Sequence, residues 1–126
     1  MTDLTAQLSE ALAHLYEIER ELTGGGMGRV YVARDIILDR KIVIKVLPPT
    51  IAAAVQTERF RREIQIAAGL QHPHIVPVLS SASSADLIYY TMPFVEGMSL
   101  RERMKQSRIP VMDALVILRD IADALG

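Results

Sequence analysis

The stretch Arg20-Glu21-Leu22-Thr23-Gly24-Gly25-Gly26-Met27-Gly28-Arg29-Val30-Tyr31-Val32-Ala33 decides how the rest of the chain is read. Before the glycines, Tyr16, Ile18 and Leu22 alternate with charged residues, the pattern of a half-buried strand. After them, Val30 to Ala33 reads as a second strand, so the glycines sit in a hairpin. A backbone approaches a phosphate closely only where side chains do not block it, and glycine also permits the φ > 0 values of such a turn. Met27 at the tip and Val30 just after it would place apolar atoms over a base or ribose. Taken alone, the same stretch serves equally well as a flexible hairpin turn. Two other phosphate motifs are excluded. No Gly-Lys-Ser/Thr follows the loop. A dinucleotide fingerprint needs a helix straight after its glycines, and here a strand follows.

Working outward, Ile42-Val43-Ile44-Lys45-Val46-Leu47 is β-branched and reads as a third, buried strand that Pro48-Pro49 ends. Lys45 is out of place there. A buried ammonium costs free energy unless it finds partners. It either snorkels to the strand edge or meets a carboxylate and an anionic ligand. Glu58 to Leu70 reads as a helix with Phe60, Ile64, Ala67 and Ala68 as its apolar stripe. Glu63 falls on the side of Phe60 and Ala67, which makes it the candidate partner of Lys45. The competing reading pairs Glu63 only with Arg59 on the helix surface, Glu58 and Arg62 being the other i,i+4 pair on this helix.

The remaining elements follow from local signals. Leu4, Leu8, Leu12 and Leu15 lie at helical spacing, which predicts an amphipathic helix over residues 3–15. Ile75 to Leu79 reads as a fourth strand with an edge proline, Ser80 to Asp86 as a polar turn, and Leu87 to Met92 as a fifth strand. Ser99-Leu100-Arg101-Glu102 is a capping box that opens a short helix. Pro110 opens another, with Ala114, Leu115, Leu118, Ile121, Ala122 and Leu125 on its inner side. Strands followed by helices predict an α+β fold with a five-stranded antiparallel sheet.

Composition narrows the function. The chain has 126 residues, 50% of them apolar, which is enough for a core. Its 14 basic and 15 acidic residues nearly cancel, so charge makes no case for nucleic acid or an anionic membrane. There is no cysteine, which excludes disulfides and thiolate-bound metal. No run approaches a membrane span and Met1 to Leu15 lacks a signal-peptide layout, so the expected setting is cytoplasmic. His72 and His74, two apart without an acid beside them, read as a structural turn rather than a metal site.

Together these residues resemble the bacterial Hanks-type serine/threonine protein kinases, over about residues 16–126. The Arg20 to Tyr31 stretch looks like the kinase glycine-rich loop, and Ile42-Val43-Ile44-Lys45 like the Val-Ala-Ile-Lys strand. Phe60-Arg61-Arg62-Glu63 looks like the start of the C helix. His72-Pro73-His74-Ile75-Val76 looks like the segment after it, and Tyr90 to Gly97 like the fifth strand and hinge. The resemblance implies a kinase N-lobe over residues 16–97 behind an N-terminal helix at 1–15. Residues 98–126 would begin the C-lobe with a D helix and part of an E helix. It also implies site roles. Lys45 would bind the α- and β-phosphates of ATP and Glu63 would orient it, these two being the catalytic candidates. Leu22, Thr23, Gly25 and Gly28 would belong to the loop over the nucleotide. Val30, Val43 and Met92 would line the adenine site, with Met92 as gatekeeper. The backbone of Pro93 and Val95 would bond the adenine edge. Proline lacks only a donor, and the position of Pro93 needs a carbonyl. Thr23 stands where the family has its first loop glycine, and would stiffen the loop. Val43 stands where alanine is usual, and its methyls would crowd the adenine.

The His-Arg-Asp loop, the Asp-Phe-Gly aspartate and the Ala-Pro-Glu segment do not occur up to Gly126. The expectation is therefore an ATP-holding part without phosphoryl transfer of its own. Magnesium and a protein substrate would belong to the complete kinase. With no lobe beneath it, the inner face of residues 111–125 would be open to self-association. The alternatives are a non-catalytic interaction module and a nucleotide sensor. Intact Lys45 and Glu63 favour the kinase, since a pure scaffold needs neither.

Overall fold

A computed structural model describes residues 4–22, 28–47, 54–84 and 87–126. The expectations for Thr23, Gly25 and the rest of the loop up to Met27, and for Pro48-Pro49, lie outside the described residues. The element order is α1 (Leu4–Ala11), β1 (Tyr16–Leu22), β2 (Arg29–Asp35), β3 (Arg40–Leu47), α2 (Ala54–Ala68), β4 (Ser80–Ser84), β5 (Leu87–Pro93), α3 (Leu100–Gln106) and α4 (Val111–Leu125). The five strands form one sheet, in the order β1-β2-β3-β5-β4, with every neighbouring pair antiparallel. The expected α+β class and five-stranded antiparallel sheet are thus what the chain forms.

The described residues divide into two compact units. The first takes in those of Met1–Leu70 and Pro77–Phe94, the second Gln71–Val76 and Val95–Gly126. In the first unit, alternation along the strands makes two faces. Ile42, Ile44 and Val46 of β3 join Tyr31 and Ala33 of β2 and Leu87 and Tyr89 of β5 in one core. Leu4, Leu8 and Leu12 cover it from the N-terminal segment. α1 is shorter than the predicted 3–15 because Leu15 and Tyr16 both turn back to donate to the Leu12 carbonyl, at 2.9 and 2.8 Å. Leu12 nonetheless stays buried. Thr91, the one polar residue buried with this core among the described residues, shares a 2.7 Å hydrogen bond with Ser80.

The opposite face holds a second cluster of Leu47, Phe60 and Tyr90, with Ile64, Val78, Ile88 and Met92 packed against it. Phe60 is the anchor of α2, fully buried and edge-tilted onto Tyr90 with ring centroids 5.6 Å apart. Ala68, expected on this stripe, is exposed, since the helix ends there and turns away at Gly69.

The fourth strand is a correction. The predicted strand Ile75–Leu79 is irregular, and the predicted turn at Ser80 supplies β4 instead. The boundary between the two units falls between Val76 and Pro77, in the middle of the apolar run. The free edge of β5 then templates whatever follows: Leu79 donates to the Thr91 carbonyl at 2.8 Å, and Ser80 pairs with Thr91. A serine-rich segment of poor strand propensity becomes a strand because its partner is already in place.

In the second unit, Ser99 caps α3 by accepting from the Glu102 N–H at 3.1 Å, the expected capping box. His74 N–H donates to His72 Nδ1 at 3.1 Å, and the two Nε2 atoms face Asp123 at 3.6 Å and Asp120 at 3.4 Å. On α4, Ala114, Ile117, Asp120 and Ala124 are half-buried. Leu115, Leu118, Ile121, Ala122 and Leu125, predicted on the inner side, are exposed. Among the described residues no helix is long and apolar enough to cross a membrane.

Candidate functional site

The site lies on the α2 face of the sheet. Register brings its residues together. Across β2 and β3, Val30 is directly opposite Lys45 and Val32 opposite Val43. Across β3 and β5, Lys45 is opposite Tyr90 and Val43 opposite Met92. Facing residues in an antiparallel pair point to the same side. Val30, Val43, Lys45 and Met92 therefore share one face with Tyr90.

Leu22 joins them through a break in β1. The alternation of Tyr16, Ile18 and Leu22 suggests one common side. The register shifts between Ile18 and Arg20, so that Ile18 pairs with Ala33 but Leu22 pairs with Val30. Glu19 is the extra residue of a β-bulge. The slip sends Tyr16 and Ile18 to the α1 core and Leu22 to the opposite face, beside Val30.

At the centre of this face, Lys45 Nζ donates to Glu63 Oε1 at 2.7 Å. The pair is half-buried, with the side chains 21% and 36% exposed. Of the two sequence readings of Glu63, this is the one bonded to Lys45. Tyr90 was missed. Its hydroxyl donates to the same Glu63 Oε1 at 2.9 Å. The available signal was parity: Tyr90 lies two residues before Met92 on one strand, so it shares the face that Met92 and Lys45 use.

Burial pushes the Glu63 carboxyl up, but the hydrogen bonds from Lys45 and Tyr90 and the nearby ammonium charge outweigh it, leaving it below its ordinary value of 4.5. Burial raises the Tyr90 phenol far above its ordinary value, and the bond and charge of Glu63 add to that. At neutral pH the carboxylate is ionised and the phenol keeps its proton.

Gly28 closes the site on the β2 side. It is buried, and a Cβ there would lie 2.9 Å from the Val46 carbonyl oxygen, 3.1 Å from Phe60 Cε1 and 3.3 Å from Lys45 Cγ. No side chain fits over the stem of Lys45. Val43 is buried, while Leu22, Val30, Met92 and Pro93 are half-buried. Val95, in the second unit, is exposed. A partly exposed cation held by a carboxylate, beside a shelf of apolar side chains, suits a ligand with an anionic end and a flat apolar end. The residues present thus fit ATP.

Comparison with known proteins gives the same direction. Residues 16–126 match the protein kinase domain family. The chain is 38% identical over 121 residues to serine/threonine-protein kinase PrkC of Bacillus subtilis, covering 94% of this chain and 19% of that protein. It is 44% identical over 91 residues to serine/threonine-protein kinase PknD of Chlamydia abortus, covering 71% of this chain and 10% of that one. The crystal structure of the Mycobacterium tuberculosis PknI kinase domain superposes with a TM-score of 0.70 at 32% identity, over 87% of this chain and 45% of that one. The chain therefore spans less than half the length of each of these relatives.

Proposed function

The chain belongs to the protein kinase family, and from that premise we propose that it is the ATP-holding part of a serine/threonine kinase. In this reading residues 16–97 are the nucleotide-holding lobe and hinge, and 98–126 begin the second lobe. The observation that carries it is the 2.7 Å bond between Lys45 and Glu63, placed beside the apolar shelf.

Each residue then has a task. Glu63 neutralises and aims the Lys45 ammonium, which keeps donors for the α- and β-phosphate oxygens. Gly28, lacking a side chain, lets β2 close on the stem of Lys45 beneath the loop that would cover the phosphates. Leu22, Val30, Val43 and Met92 bury the base, and the Pro93 carbonyl accepts from its edge. Thr23 and Gly25 take their loop roles as part of the same proposal. ATP supplies the transferable phosphoryl group. Transfer to a protein hydroxyl, and the magnesium that supports it, belong to the proposed activity of the whole kinase. A cytoplasmic setting goes with this, because an ATP-holding fold needs the compartment that contains ATP. Near-balanced charge supports the view that nucleic acid is not a partner.

One observation favours a second reading. The uncovered apolar side of α4 suits an interaction module, which would self-associate or bind a partner there. Nucleotide binding separates the two. The chain is titrated with a fluorescent ATP analogue, with Lys45→Met as the comparison. The expected result is saturable binding that the substitution weakens by about tenfold or more, the worth of a charge-assisted hydrogen bond. Absence of binding, or binding that Lys45→Met leaves unchanged, overturns the proposal.

A further inference from the structure

We propose that the Tyr90 hydroxyl is a positioning group of this site, holding Glu63 at the Lys45 ammonium so that helix α2 stays engaged when the ammonium turns toward an anionic ligand. This rests on the nucleotide-site reading above and adds a residue to it.

The geometry is a three-membered clasp. Lys45 Nζ and Tyr90 Oη both donate to Glu63 Oε1, at 2.7 and 2.9 Å. The two donors stand directly opposite each other on β3 and β5. The Lys45 ammonium also lies 6.0 Å from the centroid of the Tyr90 ring. The donors differ in stiffness. An ammonium on a four-carbon stem turns freely among acceptors. The phenol does not: Tyr90 is 4% exposed, and its ring is wedged against Phe60, the residue that anchors the same helix. One buried side chain thus grips α2 twice, through Phe60 and through Glu63.

The grip matters because Glu63 has another place to go. Arg59 and Arg62 line the outer groove of α2 together with Glu63. Arg59 is one helical turn before it, at the spacing of a surface ion pair. A phosphate that shares the Lys45 ammonium would weaken its hold on the carboxylate, which could then turn toward Arg59. The Tyr90 bond opposes that turn, because it is made from β5 and does not depend on where the ammonium points. Burial and the bond and charge of Glu63 hold the phenol above its ordinary pKa, so it keeps its proton, and can donate, at neutral pH.

The test follows the Glu63 carboxyl by NMR in the chain labelled with ¹³C-glutamate, for wild type, Tyr90→Phe, Lys45→Met and the double variant. Tyr90→Phe keeps the ring and its packing. The expected result is a Glu63 titration that moves upward in Tyr90→Phe, and again when that change is added to Lys45→Met. Affinity for the ATP analogue should fall by about three- to tenfold in Tyr90→Phe, the worth of one hydrogen bond. A Glu63 titration identical in wild type and Tyr90→Phe overturns the proposal. The carboxyl readout needs no nucleotide. Failure of the nucleotide-site reading shows instead as binding insensitive to Lys45→Met. Should Tyr90→Phe not fold, the wild-type chain supplies the measurement. A protected Tyr90 hydroxyl proton, lost as Glu63 protonates, supports the clasp; one that exchanges freely at every pH overturns it.

Discussion

Gly28 and Val46 approach so closely that no side chain fits between them: a Cβ on Gly28 would sit 2.9 Å from the Val46 carbonyl oxygen. That oxygen is backbone and cannot rotate aside. Phe60 and the Lys45 stem close the other directions, at 3.1 and 3.3 Å. Gly28→Ala should therefore destabilise the nucleotide-free chain by about 1–3 kcal/mol, the usual cost of overpacking. Urea unfolding without ligand measures it. If this glycine served phosphate access alone, the unliganded stability would not change.

That contact shows which parts of the site could be read in advance. The Lys45–Glu63 pair was legible because a lysine in an apolar strand is an energetic anomaly that demands a partner. The packing of Gly28 against Val46 was not, since it depends on how β2 lies on β3. Tyr90 was read only as a strand residue, because its bond to Glu63 joins residues 27 apart and exists only once α2 is docked. Leu22 reached the right face through a bulge at Glu19 that period-2 alternation does not announce. The misplaced fourth strand has the same origin. Ile75 to Leu79 has the better strand composition, but strand status went to Ser80–Ser84, which meets the edge of β5. Composition locates elements whose stability is local; it fails where a neighbour supplies the structure.

The lowered Glu63 pKa makes stability depend on acid. A carboxyl depressed by folding contributes fully above its unfolded value, near 4.5, and loses that contribution as pH falls through the folded value. Glu21, lowered by its bond to Arg29 at 2.6 Å, acts in the same window. The melting temperature should hold steady from neutrality to about pH 5 and then decline. In Glu63→Gln the decline should be shallower, with the Glu21 share remaining. A parallel pair of curves would remove Glu63 as a source of the acid sensitivity.

Val43 sets stability against ligand access. It is 8% exposed and faces Met92 across the β3–β5 pair. Its two methyl groups fill the shelf on which a base would lie. Val43→Ala should cost about 1–2 kcal/mol of stability from lost burial. It should also tighten the ATP analogue by opening the shelf. Denaturant melts and nucleotide titration of the same variant measure both. A variant that loses stability without gaining affinity would place the base away from Val43.

The uncovered side of α4 should govern how the chain behaves as concentration rises. Leu118 is 61% exposed and Leu125 83%, with Leu115 at 55% and Ile121 at 45% between and beside them on the helix. Scattered exposed leucines are ordinary, but a run at helical spacing is a continuous apolar strip. Water leaves such a strip when two copies meet, and the gain scales with the area covered. Sedimentation velocity should show association that strengthens with concentration and persists in high salt, because no ion pair drives it. Leu118→Glu, at the middle of the strip, should return the chain to monomer with little change in the melting transition, since Leu118 is already 61% exposed. Association that survives this substitution, or that salt abolishes, would move the contact away from α4 to a charged surface.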